Sequence, residues 1–385
     1  MRDKEKGQRE EETRRRPKTY IFVLVLAAVL GVVVFAAYRD GTGFDVLRRY
    51  FNYGKAEQAT GVLGYAYDPS SNHRFASLGN SLVVLTETSL SVQDGQGNTT
   101  WSTGVKMEHP ALHTNGSRAV AYDVGGTDLY VVDAAGEVWS FTADEAEPLI
   151  SARLNSAGWL AVTAEKKNNK GAVKVYNAEM GEFFEFQSSR RFVMDGYVTD
   201  DCKRLAAVTL GQEESTFVSN IVLYNLNETE PFANYALADG LVTAIGQDES
   251  LIAVCDTCLA FAGTDGELKA TYSSGGAYLR EYALGGDDFT ALLLNRYSSG
   301  SVGRLVTVDQ EGQEVGSLDI NEEVLGISAA GRYLAVLYAN RLVVYTPDLQ
   351  VYATLNGTDY ARSVLMRSDG SAILLGSETA KLFLP

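Results

Sequence analysis

Cys255 and Cys258 are two residues apart, and both can do chemistry. That spacing suits the flanks of a two-residue hairpin, whose flanking residues face one another. A disulfide between Cys255 and Cys258 then fits the geometry. Two free thiols are the equal alternative, and a redox or zinc site is the third. Zinc needs four protein ligands, or three and a water. The remaining cysteine, Cys202, reads as part of a turn on the opposite side of the fold, so a three-cysteine cluster is not expected. The histidines are His73, His109 and His113. His109 and His113 would lie about 13 Å apart on an extended strand, too far to share an ion. No Gly-x-Ser-x-Gly frame, phosphate-binding loop or calcium loop appears. The expectation is a chain without catalytic residues, cofactor or metal.

Other residues are suited to recognition. Three connections are longer than the rest: Glu165–Gly171, Gly211–Asn220 and Asn295–Arg304. They hold Lys166, Lys167 and Lys170, then Glu213, Glu214 and Phe217, then Arg296, Tyr297 and Arg304. Both charge signs beside an aromatic suit a polar rim around an apolar anchor. These nine residues are the candidate partner-binding set. The alternative is drift of solvated loops.

The elements that must position these residues come from a repeat. Polar turns recur at Gly79-Asn80, Asn115-Gly116, Ala157-Gly158, Asp200-Asp201, Asp248-Glu249, Gly285-Gly286, Ala330-Gly331 and Asp369-Gly370. Their spacing is roughly 36 to 48 residues, that of a four-stranded propeller blade. A second frame, apolar-x-apolar-x-Asp/Asn, ends at Asp94, Asp133, Asn177, Asn225 and Asp309. The alternation marks a strand, and the closing Asp or Asn starts a turn. The expected fold is all-β: an eight-bladed β-propeller over residues 61–385. The last copy supplies only three strands, Ala361–Met366, Ala372–Leu375 and Ala380–Leu384. Gly61–Tyr67 has no blade of its own and is expected to pair with them and close the ring. Hairpins between second and third strands, and the connections between blades, should then share one face. The three longer loops all fall on it.

The N-terminal region is different. Residues 1–18 carry eight Lys/Arg against five Asp/Glu, so this tail is +3 and the remainder −19 of a net −16. It is too polar to pack and is expected to be disordered. Ile21–Tyr38 has no charge, and at about 1.5 Å per residue spans about 27 Å. A single transmembrane helix over 19–38 is expected, with a stalk and short helix over 39–60. The Arg14–Lys18 cluster puts the N-terminus in the cytoplasm and the propeller outside the membrane. Expected partners are the membrane, through Ile21–Tyr38, and another cell-envelope protein. So acidic a body is not expected to bind nucleic acid.

Asp94-Gly-Gln-Gly-Asn-Thr-Thr-Trp101 and Asp133-Ala-Ala-Gly-Glu-Val-Trp139 resemble the turn-and-tryptophan segment of quinoprotein-type propeller repeats. Such repeats commonly build eight blades, in quinone-dependent dehydrogenases and in non-catalytic scaffolds of outer-membrane assembly. The dehydrogenases carry a disulfide between adjacent cysteines, and this chain has no adjacent pair. The layout of basic tail, anchor and degenerate propeller is similar to an uncharacterised family of membrane-anchored propellers of Gram-positive bacteria. A WD40 repeat is a poorer match: no Trp here is followed by Asp. The function this implies is a membrane-anchored interaction or scaffold module. The alternative is a glycan-binding or enzymatic propeller using its central face.

Overall fold

The computed structural model describes residues 64–385, apart from 71, 214, 238 and 239, and residues 24–26, 29–31, 45 and 49. The chain divides into two compact units, Met1–Glu57 and Gln58–Pro385. In the first, the described residues are helical. Among the described residues no helix is long and apolar enough to cross a membrane, so they do not support the span expected at 19–38. The tail 1–18, the rest of Ile21–Tyr38, the stalk apart from residues 45 and 49, and residues 61–63 lie outside the described residues.

The second unit is the expected eight-bladed propeller. Its described strands form eight four-stranded antiparallel sheets, seven of them built from four consecutive strands. The eighth takes β30 (Ser363–Met366), β31 (Ala372–Leu375) and β32 (Thr379–Phe383) from the C-terminus and β1 (Gly64–Ala66) from the start. The register is Gly64↔Lys381, Tyr65↔Ala380 and Ala66↔Thr379. Closure therefore follows the expected pairing. The seam to blade one is tied by Gln93 Nε2 donating to the Ala66 carbonyl at 2.7 Å and by Arg367 Nε donating to Ser77 Oγ at 3.2 Å.

Burial explains the strand composition. A blade's second strand has neighbours on both faces, so it reads as an unbroken apolar run; β23 (Thr290–Asn295) is buried at every position. Outer strands alternate, as in β21 (Leu268–Ser273), with one face against the next blade and one in water. Seven apolar clusters each join two adjacent blades, from Leu85 with Ala119 to Leu337 with Leu374. The core is thus a ring of inter-blade seams.

The two faces are built differently. The lower face carries the turns between first and second strands and between third and fourth. First-to-second turns are hydrogen-bonded from blade to blade. Gly79 N–H donates to the Gly116 carbonyl at 3.1 Å, Asn115 Nδ2 to the Asn155 carbonyl at 2.8 Å, and Asn155 Nδ2 to the Thr199 carbonyl at 3.0 Å. Asp200 N–H then meets Gln247 Oε1, and Asp288 N–H meets Asp248 Oδ2. The predicted turn-starters also behave as expected: Asp94 and Asp309 each accept two backbone N–H groups of their own turn. The upper face carries the hairpins between second and third strands and the connections between blades.

Candidate docking face

The upper face is uneven in height across three consecutive blades. In blade four, β15 (Arg204–Glu213) and β16 (Thr216–Asn225) are ten residues each and pair out to Glu213↔Thr216. Gly211–Asn220, expected as a loop, is therefore a protruding β-hairpin. The run Thr216-Phe217-Val218 has the β-branched and aromatic character that extends strands. Neither flanking strand follows it outward: β14 (Phe192–Val198) stops at Phe192↔Leu210 and β17 (Pro231–Leu237) at Leu237↔Ser219. In blade five, β19 (Leu251–Cys255) and β20 (Cys258–Ala262) are five residues each, joined by Asp256-Thr257. In blade six, residues 296–302 again make a longer loop. A tall element, a short one and a tall one leave a trough over blade five.

The trough and its edges are apolar. Phe217 on the blade-four hairpin is 59% exposed and Tyr297 on the blade-six loop 62%. Leu241 leads into blade five, and Tyr278, at 54%, opens β22 (Tyr278–Ala283) of blade six. Phe192, Met194 and Val302 are exposed on the same three blades. The floor is fixed: Asp256 Oδ1 accepts the Leu241 N–H at 2.8 Å, and Ser219 Oγ accepts that of Val242 at 3.2 Å.

Two devices hold these side chains in place. Inner strands of blades three to seven each carry a bulge near the upper end, and the extra residue in blade four is Met194. A bulge re-aims one side chain out of the pleat, which explains an exposed Met between buried Val193 and Asp195. The hairpin is braced by Arg191. Its guanidinium lies over Gly211, contacts the Val218 carbonyl, and donates to Asn220 Oδ1 at 2.8 Å and Glu213 Oε1 at 3.0 Å. A side chain at Gly211 would lie 2.7 Å from the Arg191 guanidinium, so the glycine makes that seat.

The nine predicted residues divide. Phe217, Tyr297 and Arg296 border the trough, with Glu213 on its hairpin. Lys167 and Lys170 are exposed on blade three, and Lys170 Nζ sits 4.7 Å from the Phe192 ring centre. Lys166 is not free for a partner. Its Nζ bridges Glu147 and Glu185 at 3.2 Å each, within a cleft of about 160 Å³ between blades two and three. Those carboxylates, Glu147 first, raise the Lys166 pKa. Arg304 lies inside β24 (Gly303–Val308) and pairs with Glu314 at 2.9 Å, on the outer strand of its own blade. Glu214 lies outside the described residues. Phe192, Met194, Leu241, Tyr278 and Val302 were missed. Phe192, Met194, Leu241 and Tyr278, at or beside the starts of inner strands, read as core, and nothing in their spacing announces a bulge; Val302 lies in the 296–302 loop, where only its charged and aromatic neighbours were singled out. Cys255 and Cys258 flank their two-residue turn as expected, with no disulfide between them.

The centre of the ring is occupied by side chains. Arg153 on β10 (Leu149–Leu154) of blade three donates to Asp195 of blade four at 2.7 Å, and Ser151 Oγ donates to the same carboxylate at 2.6 Å. The Arg153 charge also lies within electrostatic reach of Tyr282 of blade six. Half-buried His113 accepts the Leu154 N–H through Nδ1 at 3.2 Å. Burial and then the Arg153 charge lower its pKa to about 3. Burial raises the Glu281 pKa, although the carboxylate accepts the Ile327 N–H at 3.1 Å. Among the described residues no group of His, Cys, Asp and Glu is arranged to hold a metal ion.

Comparisons with known proteins agree with this architecture. A crystal structure of BamB from Moraxella catarrhalis is similar with a TM-score of 0.52 at 12% identity, covering 84% of this chain and 99% of that one. The C-terminal WD40 domain of Sif2 gives a TM-score of 0.58 at 13% identity, covering 84% and 100%. A eukaryotic initiation factor gives 0.53 at 10%, covering 80% and 83%. At such identities the likeness is one of fold. No curated protein matches the sequence closely enough to stand as a relative. The model of a family of unknown function, DUF5711, matches residues 53–353, and the chain belongs to that family.

Proposed function

We propose that this propeller is a protein-interaction module without catalytic activity, and that its upper face over blades four to six receives the partner. One observation carries the reading: exposed aromatic and aliphatic side chains are gathered along a trough between a braced hairpin and a long loop. Monomeric surfaces seldom group apolar side chains this way without an interaction to use them. Aromatic anchors inside a charged rim are the usual source of binding energy. The channel supports the same reading. Asp195 is committed to Arg153 and Ser151, and Glu281 to a backbone amide, so neither is poised to work on a substrate.

The module is held at the cell membrane by Ile21–Tyr38, with its tail in the cytoplasm and the propeller outside, facing another cell-envelope protein. The uncharged run and the basic cluster before it support this placement. Protease added to intact protoplasts tests the placement: digestion of the propeller is expected, and protection until lysis overturns it. Crosslinking in intact cells tests the docking face. The full chain is expected to capture a defined partner, and Phe217→Ala and Tyr297→Ala to lose it.

A further inference from the structure

Cys255 and Cys258 make a second chemical feature of the upper face, and it does not depend on the docking reading. The two cysteines end β19 and open β20, on either side of Asp256-Thr257. Cross-strand partners in a ladder lie about 5.5 Å apart between Cα atoms, within the range a disulfide spans. No disulfide joins them, and the two thiols interact with one another. Their surroundings differ. Cys255 is buried, with only 2% of its surface exposed, and Cys258 is partly open to solvent. The backbone of Gly240 covers Cys255: a side chain at Gly240 would lie 2.7 Å from the Cys255 Cβ.

We infer that Cys255 and Cys258 form a reversible dithiol–disulfide site that exchanges with an external disulfide, entering through Cys258. The Cys258 thiolate attacks one sulfur of the disulfide R–S–S–R. A Cys258–S–S–R bond forms and one RS⁻ leaves. Cys255 then gives up its proton and attacks Cys258 Sγ, closing the Cys255–Cys258 bond and expelling the second RS⁻. Both thiol protons end on the two RSH molecules. The site is oxidised by two electrons, and the external disulfide is reduced by two. Order follows from access, because a disulfide can reach Cys258 but not the covered Cys255. The shared hydrogen bond and then burial also raise the Cys255 pKa, which keeps it a protonated second thiol. Cys202 is an internal comparison: it is partly exposed too, but sits in a lower-face turn beside Asn155, without a second sulfur.

The test uses the full-length chain in detergent micelles, first reduced and then equilibrated with oxidised glutathione. Remaining thiols are alkylated and the peptides are mapped by mass. The peptide holding both cysteines is expected unalkylated and two hydrogens lighter, and dithiothreitol should restore two alkylatable thiols. In Cys255→Ser, glutathione is expected to remain on Cys258 as a stable mixed disulfide. In Cys258→Ser, Cys255 is expected to stay unmodified in the folded protein. Complete alkylation of both cysteines in the parent overturns the site, and so does glutathione confined to Cys202. A stable adduct on Cys255 in Cys258→Ser overturns the order of attack. Should a variant fail to fold, the parent's peptide map decides by itself.

Discussion

Arg153 of blade three donates its Nε–H to Asp195 Oδ2 of blade four at 2.7 Å, and its charge lies within electrostatic reach of Tyr282 of blade six. The Arg153–Asp195 pair joins the innermost strands of two adjacent blades. The pair is mostly out of water, with side-chain exposures of 18% and 9%. Asp195→Ala would strand a buried cation and should cost about 3–5 kcal/mol. Replacing both partners, as Arg153→Met with Asp195→Leu, should cost clearly less. Urea unfolding of the three variants measures this. A double variant as unstable as Asp195→Ala would show that the charges are not coupled.

Ring closure rests on a three-residue strand, so its one large buried side chain matters. Tyr65 is 1% exposed, and its hydroxyl lies 3.3 Å from the Asn80 carbonyl across the seam. Tyr65→Ala should cost about 3–5 kcal/mol. Removing Ala372–Pro385 deletes two strands of the same sheet and should unfold the whole propeller. A truncated chain that melts cooperatively at the parent temperature would mean that the ring does not need this closure.

His113 makes stability depend on acid. Its folded pKa is lowered to about 3, while an unfolded histidine titrates near 6.5. Between those values the unfolded chain binds a proton that the native state refuses. Stability should therefore fall as pH drops from about 6.5 toward 3, by up to about 1.4 kcal/mol per pH unit. Glu281 works in the opposite sense, because burial raises its pKa and the native state takes up a proton more readily. His113→Asn should flatten the slope in this window. Melting temperatures at a series of pH values compare the two proteins, and parallel slopes would remove His113 as the cause.

What was legible in the sequence was what repeats. The turn pairs and the Asp/Asn frame recur because each blade needs the same turn, and β1 was found because the last copy lacked a strand. Even the tryptophan signature has a local cause. Gly136 has φ +129°, and a side chain there would lie 2.7 Å from the Trp101 Cγ, so Trp101 packs on a glycine of the next blade. The docking face was only half legible, since Phe217 and Tyr297 lie in segments that break the repeat. Met194 and Phe192 lie within it, and their exposure depends on a bulge and on where β14 ends. Arg304 lies in a strand rather than in the expected loop for a related reason. The loop before it ends earlier than its polarity suggests, and the arginine pairs with Glu314 within its own sheet.

Phe217 and Tyr297 allow recognition and stability to be separated. Each is more than half exposed on an element braced by others, so truncation removes little buried surface. Phe217→Ala and Tyr297→Ala should each change stability by no more than about 0.5 kcal/mol. A central interface anchor, in contrast, contributes about 2 kcal/mol or more, which is roughly thirtyfold in affinity. Lys166→Ala gives the converse. Its ammonium bridges Glu147 and Glu185 inside the blade-two to blade-three cleft, so it should disturb that cleft and leave partner capture unchanged. Crosslinking yield and melting temperature, measured on the same three variants, give the comparison. If the two aromatic variants capture the same proteins with the parent's yield, the upper face over blade five is not where the partner binds. If they instead lose several kcal/mol, the trough is part of the core rather than a surface held ready for another protein.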